Sequence, residues 1–114
     1  MTILKLTPDE INVIGRVLHL LSKGELIEEW EFSPRIGVDL DEFRLLLADW
    51  PNWDDSADAS APCLAINNSL NDVLYSLGLP DAEVYEATGV RRAELARIYR
   101  KWATARGWNA TGIR

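Results

Sequence analysis

Gly37-Val-Asp-Leu-Asp-Glu-Phe-Arg-Leu-Leu-Leu-Ala-Asp-Trp50 and Gly89-Val-Arg-Arg-Ala-Glu-Leu-Ala-Arg-Ile-Tyr-Arg-Lys-Trp102 are two versions of one pattern, 52 positions apart. Each opens on a glycine suited to a left-handed helix cap and closes on a tryptophan. Between them, Phe43, Leu46, Leu47 and Trp50 have the i, i+3, i+4, i+7 spacing of a core-facing helix, and Leu95, Ile98, Tyr99 and Trp102 repeat it. Glu31 pairs with Glu83 and Glu42 with Glu94 in the same register, and the helix holding Ile14 and Leu18 aligns with the one holding Ile66 and Leu70. A tandem repeat is therefore expected, with units at about 7–50 and 63–105 joined by a loop at 51–62.

Outward from these corners the chain reads as helices throughout. Thr7, Pro8 and Glu10 form a capping box with proline at the first helical position, and Leu6 and Ile11 sit where a hydrophobic staple would form. Ile14, Leu18 and Leu21 continue that helix to a stop at Gly24. Residues 25–34 predict a short helix, and Asp39 with Glu42 a second capping box for the helix to Trp50, which Pro51 ends. Ile66, Leu70, Val73, Leu74 and Leu77 mark another long helix, stopped by Gly78 and Pro80. A short helix near 81–88 and a last one reaching about Ala105 complete an all-α reading: a single-domain bundle of six helices, four long and two short, with pseudo-twofold symmetry.

Composition narrows the function classes. Hydrophobic residues at 47% and charged residues at 26% are those of a folded domain. No apolar run has the length of a membrane span, the opening decapeptide does not read as a signal peptide, and a lone cysteine excludes an internal disulfide, so a cytoplasmic protein without membrane partners is expected. The net charge is −6, against general nucleic-acid binding. It is unevenly spread: residues 1–90 carry 17 acids and 5 bases, whereas residues 91–114 carry 7 bases, Arg114 included, and only Glu94 as an acid. That polarity implies either an anionic partner or a basic helix laid against an acidic body.

The stretch Val84-Tyr-Glu-Ala-Thr-Gly-Val-Arg-Arg-Ala-Glu-Leu-Ala-Arg-Ile-Tyr99 resembles the helix-turn-helix of bacterial repressors over about 20 residues, with Gly89 at the turn and Val84, Val90, Leu95 and Ile98 in packing positions. The resemblance implies a DNA-binding helix presenting Arg91, Arg92, Arg97, Arg100 and Lys101. Tyr85 stands where that family has a small residue, and the matching helix in the first half opens Asp39-Leu-Asp-Glu42, which repels phosphate.

Catalytic and cofactor signatures are thin, and neither cofactor nor metal is expected. His19 is the only histidine, inside an amphipathic helix; Cys63, after Pro62 at a helix start, reads as a small buried hydrophobe. Asp54, Asp55, Ser56 and Asp58 suggest a calcium loop, but Ala59 and Ala65 replace its glycine and closing glutamate. Trp50 and Trp102 read as core. Trp30 and Trp53, flanked by Glu28, Glu29, Asp54 and Asp55, read either as anchors for a protein partner or as plugs at the bundle's ends. The expected function is a small non-enzymatic interaction or regulatory module, an acidic inhibitor or immunity-like protein for a basic partner or for itself; the alternative is a DNA-binding regulator.

Overall fold

A computed structural model describes residues 1–108; Arg114, counted above in the basic segment, lies outside them. A 3-10 turn at Thr2–Lys5 precedes six α-helices: α1 Pro8–Ser22, α2 Glu29–Ile36, α3 Leu40–Ala48, α4 Ala61–Asn71, α5 Asp81–Thr88 and α6 Arg92–Ala105. A π-helical segment, Asp72–Ser76, prolongs α4. No strand occurs among the described residues. One core holds these elements, with α1 packed against α3, α4 and α5, and α6 against the N-terminal turn, α5 and the π segment.

The helix starts follow the capping chemistry. The Thr7 hydroxyl accepts from the Glu10 amide while the Glu10 carboxylate accepts from the Thr7 amide, so two otherwise orphaned donors are satisfied reciprocally. At α3 only half of the expected box forms: Asp39 accepts from the Glu42 amide at 2.8 Å, and the return bond is absent. Ser60 caps α4 by accepting from the Cys63 amide.

Two expectations about the first half are corrected. Residues 25–28 are not helical; α2 starts at Glu29, with Glu28 extended at its cap. The second correction concerns α3, which has nine residues, so the bundle has three long helices rather than four. It ends at Ala48, and Trp50 lies in the turn beyond it. Pro51 explains this, because its ring disfavours helical backbone at the residue before it and it has no amide for the Leu47 carbonyl. The Trp50 indole, half-buried, lies on Gly15 of α1, where an added Cβ would meet its Nε1 at 2.5 Å.

Gly37 closes α2 at φ 97° and Gly89 closes α5 at φ 80°, both left-handed, and each amide bonds the carbonyl four residues back. The next helix starts three residues after each glycine. Beyond the corners the helices differ. Leu95, Ile98, Tyr99 and Trp102 of α6 are all buried, whereas on α3 Phe43 is buried and Leu46 and Leu47 are only half-buried.

Candidate functional site

The loop between α3 and α4 is largely exposed, as its composition implies, but two of its side chains are buried. Trp53 is 3% exposed, meets Trp50 edge to face, and donates to the Leu46 carbonyl at 2.7 Å. Asp55 is wholly buried and accepts from Trp102 Nε1 at 2.9 Å and from the Ile3 amide at 3.1 Å. The buried Arg106 guanidinium donates to the Asp55 carbonyl and reaches Asp58 at 2.7 Å, stacking between Trp102 and Trp108. Trp53 and Asp55 therefore leave the candidate surface: both are structural, tying the loop to α6 and the N-terminal turn. Asp54 stays exposed, its carboxyl held below the usual range by the Ser56 hydroxyl and amide, but it does not line the groove described below.

The basic helix is largely neutralised by its own chain. Arg97 bonds Glu10 at 2.9 Å and Glu94 at 2.7 Å, and Lys101 bonds Glu10 at 2.7 Å. Burial would raise the Glu10 carboxyl, yet the hydrogen bonds from Lys101, the Thr7 amide and Arg97 outweigh it and bring its pKa down to about 2. The Arg97 guanidinium is raised in turn by Glu94 and Glu10, and Glu94 is lowered by Arg97. Arg92 pairs with Asp81 and donates to the carbonyls of Leu74 and Leu79, closing the end of the π segment. Arg91 and Arg100 remain exposed with no ion pair among the described residues, Arg91 lying 5.9 Å from the Tyr85 ring centre. Tyr85 is 55% exposed and so does not separate α5 from α6. His19 is exposed and Cys63 is buried.

Trp30 has a different setting. It is 73% exposed on the first turn of α2, and its indole N–H donates to Glu28 at 2.9 Å, which restrains the ring in water. Trp30 and Glu29 line a groove of about 470 Å³ with Asp39, Leu40 and Asp41 from the start of α3. Leu40 is buried there, while the Glu29 and Asp41 carboxylates make no hydrogen bond or ion pair among the described residues. The structure thus brings Trp30, Glu28 and Glu29 together and adds two carboxylates from the start of α3, the cap Asp39 and Asp41.

A second groove, of about 490 Å³, lies at the α5–α6 corner and is lined by Asp81, Ala82, Tyr85, Arg91, Arg92 and Ala93. Five of its lining residues stand 52 positions after the five of the first groove: Glu29, Trp30, Asp39, Leu40 and Asp41 become Asp81, Ala82, Arg91, Arg92 and Ala93. The two grooves occupy matching places relative to their corners, but one is acidic with an aromatic ridge and the other is basic with alanines where the first has Trp30 and Asp41. Arg97 and Arg100 lie beside this second groove with Gly89 and Val90.

No helix among the described residues is long and apolar enough to cross a membrane, and no three His, Cys, Asp or Glu side chains among them gather as metal ligands. Comparison with family models, with curated proteins and with solved structures finds no match to this chain.

Proposed function

We propose that this chain is a small non-enzymatic interaction module, inhibitor-like or immunity-like in kind, whose Trp30 groove binds a basic protein surface. The observation that carries this reading is a restrained, water-exposed indole surrounded by carboxylates of which two are uncommitted. An exposed tryptophan gains most of its energy when a partner desolvates it, and carboxylates around it steer a cationic partner and select against an acidic one. A DNA-binding role is less well supported, because Arg92, Arg97 and Lys101 already serve the chain's own carbonyls and carboxylates. We place the module in the cytoplasm, and we read its halves as a duplicated unit related by a pseudo-twofold axis. The shared register of the two grooves supports the duplication.

The test is a capture experiment from native extract with the wild-type chain, Trp30→Ala, and Asp39→Asn combined with Asp41→Asn. A basic protein retained by the wild type and lost from Trp30→Ala supports the reading. Trp30→Ala itself should leave unfolding free energy within about 0.5 kcal/mol of wild type, as at other exposed sites. Retention of the same proteins by all three chains refutes it.

A further inference from the structure

The grooves described above have complementary features: one offers an indole ridge and carboxylates, the other small residues between an arginine and a tyrosine. We infer that the partner of the Trp30 groove is the α5–α6 groove of a second copy of this chain. The inference rests on the interaction reading of Trp30 and names its partner.

Three observations carry it. Ala82 and Ala93 leave the second groove without bulky side chains at the positions where the first has Trp30 and Asp41, so an incoming indole has room. Its volume of about 490 Å³ lies within the roughly 300–1,000 Å³ range of pockets that take organic groups. Arg91 and Tyr85 flank that space, and Arg91 has no carboxylate partner among the described residues, leaving its guanidinium available to stack on an indole. Charge then sets the orientation. Glu29 and Asp41 of one copy face Arg91 and Arg100 of the next, and these four groups are free of ion pairs within their own chain among the described residues. Two acidic grooves repel each other, as do two basic ones, so docking runs from the first half of one copy to the second half of another. Such a contact joins different patches, and it closes into a pair or a ring, or propagates, according to the rotation between successive copies.

Sedimentation of the purified chain over a range of concentrations tests this, at low salt and near 1 M salt, where the screening length falls to about 3 Å. Concentration-dependent association that salt weakens is expected. Trp30→Ala and Arg91→Glu should each weaken it roughly thirty-fold, the size of a hot-spot loss. Both sites are exposed, so circular dichroism should be unchanged. Mixed together, the two variants should form a one-to-one pair, because Trp30→Ala keeps its basic groove and Arg91→Glu keeps its indole. A wild-type chain that stays monomeric throughout, association that survives Trp30→Ala, or a mixture that stays monomeric overturns the proposal. Titration of the same wild-type chain with a nine-arginine peptide separates the two levels. If copies do not associate yet the peptide binds in a Trp30-dependent way, only the identity of the partner is wrong. If the peptide does not bind either, the reading of the Trp30 groove falls with it.

Discussion

The α2–α3 and α5–α6 corners begin alike and end differently. Both turn on a left-handed glycine, and both continue into a helix of the same apolar phase. At the second corner α6 runs 14 residues and keeps its stripe in the core through Trp102; at the first, α3 stops after 9 and leaves Trp50 half-buried in a turn. Periodicity fixes which face a side chain belongs to, but the length of the helix decides whether the last members of the stripe reach the core. Pro51 sets that length locally.

Tryptophan truncation should give the largest contrast between the corners. Trp102→Ala removes a fully buried indole and its bond to Asp55, with an expected loss of about 3–5 kcal/mol, whereas Trp50→Ala should cost about half that or less. Denaturant unfolding measures both, and equal losses would show that the two positions are energetically alike despite their burial. Replacing the corner glycines sharpens the comparison at a smaller scale. Gly37→Ala and Gly89→Ala both force an L-residue to positive φ, at about 1–2 kcal/mol each. Gly37 should cost more, since its new Cβ would meet Leu64 within 3.1 Å inside the fold, while at Gly89 the obstacle is the mobile end of Arg16.

The smallest effect concerns Glu10, which ties α1 to α6 and has no counterpart in the other half. Glu10→Gln should cost about 1 kcal/mol, the scale of a charged hydrogen bond exchanged for a neutral one. Because the folded state lowers the Glu10 pKa to about 2 from the ordinary carboxylate value of 4.5, its contribution is present in full above about pH 4.5 and is lost as pH falls toward 2. The wild type should therefore lose more stability over that interval than Glu10→Gln, as read from unfolding midpoints at each pH. Parallel curves would remove Glu10 from the account.

The elements that local chemistry specifies were legible in the sequence. The Thr7–Glu10 box, the stop at Gly24 and the span of α5 all follow from residues within a few positions of one another. The loop between α3 and α4 was not. Asp54 and Asp55 are neighbours of the same type, yet one is solvated and the other is buried against Trp102 and Arg106, residues about 50 positions away. No local pattern separates them, since only the closed fold supplies the partners that make burying a carboxylate tolerable. The candidate site was legible in part. Trp30 beside Glu28 and Glu29 was visible, but Trp53 had the same flanking acids, and the difference between them is tertiary. Asp39 and Asp41 mark a helix start in the sequence; their placement beside Trp30 depends on the turn at Gly37.

The anchoring of Asp55 also bears on how this chain can be cut or extended. Residues 54–60 have the Asp-, Ser- and Ala-rich composition of a segment that proteases open and engineers choose for grafts. Here Arg106 holds the backbone carbonyls of Asp55 and Ser56, while the Asp55 carboxylate accepts from the Ile3 amide of the N-terminal turn. A reporter peptide inserted after Asp55 would pull apart the attachments of the N-terminal turn and of α6.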